Sequence, residues 1–121
     1  MSVDWIAIGA LGAALAIVLG AFGAHALEER LSDRDMVLWE TAARYLMYAA
    51  LGLLVMGVLS RSTSVPVDWP AATLAAGGLL FCATVAAIAL GGPRWLGAVT
   101  PFGGLLMIVG WFLLAWASIR S

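Results

Sequence analysis

The chain has 121 residues, of which 64% are hydrophobic and 11% charged, with a mean hydropathy of +1.04; a soluble domain carries roughly 25% charged residues, so a water-soluble fold is excluded. Six basic residues, all Arg, stand against seven acids, which excludes the basic footprint of a nucleic-acid binder, and a single cysteine excludes a disulfide scaffold. A bilayer crossing uses about 20 mostly apolar residues, so four crossings consume most of the chain and leave no room for a separate catalytic domain.

The first apolar run predicts a helix over residues 5–27, starting at Trp5 with no charged side chain before Glu28. Ala24-His25-Ala26 has the small-residue form of a signal-peptidase site. The start Met1-Ser2-Val3-Asp4 has no basic side chain, however, and the run exceeds the 7–15 residues of a signal core, so it reads as a retained helix. The second helix is expected over 33–60. Ser32-Asp33-Arg34-Asp35 has the form of a capping box, with Ser32 as the cap. Its first turns are interfacial and the rest immersed. Glu40 and Arg44, four apart with the acid first, have the favoured ion-pair spacing. Arg44 is expected to snorkel toward the headgroups, because at mid-bilayer it costs about 2.5–3.5 kcal/mol on insertion scales.

The polar stretch 61–68 is a connection. Asp68 as cap and Pro70 in the first turn open a third helix over 70–90, stopped by Gly91-Gly92-Pro93. Thr100-Pro101 has the same cap-then-proline form and predicts a fourth helix over 101–119. The fold class is therefore all-α, an integral membrane four-helix bundle with short connections in one domain spanning 1–121. Trp5, Trp69 and Trp116 fall at one membrane face and Trp39 and Trp95 at the other, an aromatic-belt pattern, with Trp111 deeper. Arg30, Arg34, Arg44 and Arg94 lie toward one face and Arg61 and Arg120 toward the other, so the positive-inside rule puts both termini outside the cytoplasm; the membrane expected is the cell inner membrane.

Lipid tails are as apolar as leucine, so membrane helices associate through close packing, and small residues permit it. The first helix carries Gly12, Ala16, Gly20 and Ala24 in four-residue steps, and the second carries Ala43, Ala50 and Gly57. The third offers Ala83, Ala87 and Gly91, and the fourth Gly103, Gly110 and Ala117. These stripes either close the bundle or, in the first helix, dock a second copy or another membrane subunit. His25 is the only histidine, beside Glu28 and Glu29. A lone imidazole without a second His, a Cys pair or a C-x-x-C-H motif asks for no metal or haem, and no cofactor is expected. Thr41, Tyr45 and Tyr48, with His25, Glu40 and Arg44, make up a candidate polar site near one membrane face. Cys82 reads as a small apolar residue. No catalytic spacing is present, so the chain is expected not to be an enzyme.

Three segments in order carry a resemblance: Gly20-Ala21-Phe22-Gly23-Ala24-His25-Ala26-Leu27; Trp39-Glu40-Thr41-Ala42 through Tyr45 and Tyr48; and Arg94 to Gly104, followed by Gly110-Trp111. The chain resembles the small membrane-protein family that includes bacterial YgdD and YwdK and the eukaryotic transmembrane protein 256. That family is of unknown function, so the resemblance implies a four-helix membrane protein and no reaction. Family members often carry His where this chain has Ala49, Gln where it has Leu46, and Ser-Leu-Tyr where it has Thr84-Val85-Ala86. The expected role is therefore interaction in the lipid bilayer, as accessory subunit or homo-oligomer. The alternative is passage of a small solute, proton or lipid by way of the site near His25.

Overall fold

The computed structural model describes residues 3–121. Four helices long and apolar enough to cross a membrane make up the fold: α1 (Trp5–Leu27), α2 (Asp33–Ser62), α3 (Asp68–Ala89) and α4 (Leu96–Arg120). Among the described residues every element is helical, in agreement with the all-α class. At 1.5 Å per residue, α1 and α3 measure about 33–35 Å, close to the hydrocarbon thickness, while α2 reaches about 45 Å and projects beyond it.

The chain ends of these helices are set by local chemistry. Asp4 caps α1, its carboxylate accepting from the Ala7 amide at 3.0 Å. Ser32 caps α2 as expected, with Oγ accepting from the Asp35 amide at 3.1 Å. α2 continues two residues past the expected Ser60. In this last turn the Ser60, Ser62 and Thr63 hydroxyls donate back to the carbonyls of Gly57, Val58 and Leu59, so that these polar side chains are satisfied by their own helix. α3 stops as its glycines predict. Gly91 takes φ +95°, its amide donates to Ile88 and that of Gly92 to Ala87, forming a Schellman cap.

Two helix starts differ from expectation. Asp68 lies inside the first turn of α3, with Val67 as the capping residue. Its carboxylate instead accepts the Trp5 indole N–H at 3.2 Å, tying the start of α3 to the start of α1. α4 begins at Leu96, five residues before Pro101. The opening turn forms because the amides of Leu96, Gly97 and Ala98 donate three residues back. Proline can donate nothing to Gly97, but Gly97 is exposed at the membrane edge, where its carbonyl is free to be solvated. Thr100 is thus an interior residue, not a cap. Its Oγ1 bridges to Thr84 Oγ1 at 2.7 Å and to the Leu96 carbonyl at 3.1 Å.

The helices pack in chain order: α1 along α2, α2 along α3, α3 along α4. α1 and α4 do not pack along one another, so they stand at the two ends of a row. The core lies around α2, where Met56 and Leu74 are fully buried and Ala49, Leu53, Ala71 and Met107 join them. Glycine governs the α3–α4 approach. A Cβ on Gly103 would come within 2.6 Å of the Phe81 backbone nitrogen, one on Gly77 within 2.6 Å of that of Met107, and one on Gly110 within 2.9 Å of that of Leu74. Ala83, offered as part of the small-residue face of this helix, is exposed; the close approaches of α3 are made by Gly77 toward α4 and by Gly78 toward Ala49 of α2.

Five of the six tryptophans fall into two groups. Trp69, Trp95 and Trp116 are exposed and remain candidates for the belt, Trp116 with the Arg120 guanidinium 5.6 Å above its ring. Trp5 and Trp39 are buried. Trp39 is therefore not an interfacial anchor. Its indole N–H donates at 2.8 Å to the carbonyl of Leu19, within a segment of α1, Val18–Gly23, that is wound as a π-helix. The Leu19 carbonyl also accepts from Ala24, five residues on. Single-turn π-bulges widen a helix locally; here the glycine at position 23 leaves space for the Trp39 ring, which a Cβ would meet at 3.0 Å.

Candidate functional site

Along the α1–α2 seam the small residues face inward in this same chain. A Cβ on Gly12 would meet the Ala50 side chain at 3.1 Å and one on Gly20 the Ala43 side chain at 3.6 Å, while Ala16 is buried and Ala24 half-buried. The closest approach lies at the Trp5 end, where a Cβ on Gly9 or Gly57 would come within 2.7 or 2.6 Å of facing backbone. Toward the other end the helices part, and a groove of about 520 Å³ opens on the outer wall between them. Ala16, Ile17, Gly20 and Ala21 line it from α1, and Glu40, Ala43, Arg44, Met47 and Tyr48 from α2.

The structure gathers three of the six polar candidates here: Glu40, Arg44 and Tyr48. Glu40 and Arg44 do not form the expected ion pair; their charged atoms are more than 4.0 Å apart, since among the described residues the ion pairs are His25–Glu28 and Arg61–Asp4. No side-chain hydrogen bond to Glu40, Arg44 or the Tyr48 hydroxyl is formed by the described residues. Tyr45 stands beside the groove, its ring 5.1 Å from Tyr48 and 4.9 Å from Phe81, in an aromatic cluster shared by α2 and α3. Thr41 turns onto its own helix, donating to Val37 at 2.7 Å. His25 is elsewhere, at the far end of α1, with Nδ1 3.6 Å from Glu28 Oε1 and 84% of its side chain exposed. It does not join the other five.

The depth of the groove follows from helix geometry. Ala16 is the middle residue of α1, and Gly20, opposite Ala43, is about 6 Å above it. With the middle of α1 at the centre of a roughly 30 Å core, the Arg44 backbone lies about 10 Å below the hydrocarbon boundary and Glu40 one turn closer to the surface. Side chains tilt toward a helix N-terminus, which for α2 is this nearer membrane face, so the Arg44 and Tyr48 tips lean upward toward Glu40.

Residue patterns singled out Ala16 and Gly20 as packing residues but not as the floor of a groove. The signal available was that Gly20 and Ala21 leave no bulk opposite a charged turn of α2. A second polar cluster was equally hidden: Arg61 Nη2 and Asp4 Oδ1 are 3.3 Å apart at the opposite face, next to the Trp5–Asp68 bond, and the two ties fasten three helix ends together.

Residues 19–104 match the family described as protein of unknown function (DUF423). The chain belongs to this family. Among curated relatives it is similar to a UPF0382 membrane protein of Staphylococcus epidermidis, 47% identical over 96% of this chain and 95% of the relative. It is 46% identical to a UPF0382 membrane protein of Staphylococcus haemolyticus over 91% and 90% of the two chains, and 40% identical to one of Staphylococcus aureus over 96% and 95%. No solved structure matches the chain. The relatives' names and the four apolar helices agree that this is a membrane protein in contact with the lipid bilayer.

Proposed function

We propose that this DUF423 protein is a non-enzymatic interaction module of the plasma membrane, acting as an accessory subunit of a larger assembly or as a homo-oligomer. The supporting observation is the open row. α1 packs along α2, and α4 along α3 with its Trp111 ring also reaching Gly52 of α2; their outer faces carry large apolar side chains, Leu11 and Phe22 on α1, Phe102 and Phe112 on α4, all more than 60% exposed. A row with two free edges leaves both end helices open to a further helix without rearrangement. The chemistry-bearing side chains do not converge into a nucleophile–base pair, as His25 meets only Glu28 and Thr41 bonds its own helix.

Solute or proton passage finds less support. The polar candidates lie on the outer wall and at a helix end, and the buried α2–α3–α4 core is apolar apart from Thr84. Four of the six Arg lie toward the Leu27 end, which favours that end facing the cytoplasm and both termini facing outward. Native electrophoresis and mass spectrometry of gently solubilised membranes test the interaction reading. A reproducible oligomer or co-purifying subunit is expected, and a solitary monomer in every preparation overturns it. Reporter fusions at the C-terminus test the orientation, with activity expected only for the exported reporter.

A further inference from the structure

We propose that the groove between α1 and α2 binds a phospholipid bearing a primary ammonium on its phosphodiester, an ethanolamine-type headgroup. Glu40 and Arg44 stand one helical turn apart on one wall, yet each lacks an ionic partner from the protein. Near the hydrocarbon, water is scarce and an unmet charge is costly, so a ligand that meets both charges at once has a strong claim on the site.

The order of the two charges identifies the ligand. A guanidinium donates to a phosphate in a bidentate fork, and a carboxylate accepts from an ammonium. On the α2 backbone Arg44 is rooted about 6 Å deeper than Glu40. In an ethanolamine phospholipid the phosphate is likewise the deeper group, attached to glycerol, and the ammonium is outermost. Both charges are thus met in sequence along the membrane normal. A glycerol headgroup brings no cation to Glu40, and a trimethylated amine has no N–H to donate. Tyr48, one turn deeper than Arg44 and leaning toward it, is placed to donate to an ester carbonyl.

The floor of the groove suits the apolar part of such a lipid. Gly20 and Ala21 expose a smooth surface on which an acyl chain can lie, and Met47 is a flexible side chain able to fit it. The groove volume of about 520 Å³ falls within the 300–1,000 Å³ of small-ligand sites, enough for a headgroup and the upper part of one chain.

The experiment is native mass spectrometry of the full chain released from nanodiscs of equal phosphatidylethanolamine, phosphatidylglycerol and phosphatidylcholine. Retained ethanolamine-lipid adducts are expected to exceed each of the others about tenfold, the scale of one charge-assisted hydrogen bond. Glu40→Gln is expected to level the three lipids, and Arg44→Gln to remove adducts of all three. Ala21→Phe removes them by filling the groove while leaving both charges in place. Glu29→Gln, outside the groove, keeps the wild-type preference. All four positions are exposed, and far-UV circular dichroism confirms that each variant keeps its helices. Equal retention of the three lipids by the wild type overturns the proposal. So does a preference that survives Arg44→Gln or Ala21→Phe, or an Ala21→Cys variant that cross-links between copies at every lipid composition, because a second copy would then occupy the groove.

Discussion

Along the α3–α4 seam a Cβ placed on Gly77, Gly103 or Gly110 meets facing backbone at 2.6, 2.6 and 2.9 Å; along α1–α2 the same is true only near the Trp5 end, at Gly9 and Gly57. Farther along α1, a Cβ on Gly12 or Gly20 would meet alanine methyls, at 3.1 and 3.6 Å. There α1 widens into its π-helical turn and the groove begins. Both seams are rich in glycine, yet one is closed along its length and the other splays. Small residues permit approach; what stands opposite them decides whether it happens. Over α3–α4 glycine faces glycine, with Gly103 against the Gly77 carbonyl, and the helices touch main chain to main chain. Over the upper part of α1–α2 glycine faces Ala43 and Trp39, and the Trp39 indole holds the helices apart while bonding Leu19.

Substitution does the most damage at the closed seam. Gly103→Val must push the Phe81 backbone away, and overpacking of this kind costs typically 1–3 kcal/mol, here expected at the upper end because the obstacle is main chain. A fall in the unfolding midpoint in bicelles measures it; an unchanged midpoint would show that the seam is more compliant than its geometry. Trp39→Phe comes next. It keeps most of the ring but loses the bond to Leu19, about 1 kcal/mol. The accompanying expectation is faster amide exchange over residues 18–24, since the π turn loses the group that shares its carbonyl.

How much of the molecule is legible in the sequence depends on the distance over which each signal acts. The four crossings, the Ser32 cap and the Gly91-Gly92 stop were legible because length, local capping and glycine at positive φ are properties of short segments. The starts of α3 and α4 were not. Asp68 and Thr100 are good caps in isolation, but each has a partner 63 or 16 residues away that engages its side chain, Trp5 and Thr84 respectively. The Glu40–Arg44 pair failed for the complementary reason. Spacing permits an i,i+4 bridge worth only about 0.2–0.5 kcal/mol, too little to override the local surroundings. For the candidate site, Glu40, Arg44 and Tyr48 were identifiable from residue type. Their union with Gly20 and Ala21, and the separation of His25 from them, depends on which faces of α1 and α2 meet.

Two smaller effects distinguish the seams further. Thr100→Val removes the hydroxyl bridge to Thr84, but Thr84 retains its bond to the Leu80 carbonyl at 2.9 Å. The expected loss is about 0.6 kcal/mol, the average for interhelical hydrogen bonds in membranes, readable as a small midpoint shift that Thr84→Val should not add to in full.

Gly20→Ala closes the series at the splayed seam. Its new methyl would sit 3.6 Å from the Ala43 side chain, an ordinary van der Waals contact, so nothing must move. Alanine also favours a helix over glycine by up to about 1 kcal/mol, though the π-wound turn offers less of that gain than a regular helix. The net stability change is expected within about 0.5 kcal/mol of zero. Set against Gly103→Val under identical conditions, a near-neutral result says that glycine at position 20 is not required for close approach of the two backbones. A loss comparable to that of Gly103→Val would mean that α1 and α2 close together in the bilayer far more tightly than the groove allows, and the two seams would no longer differ in kind.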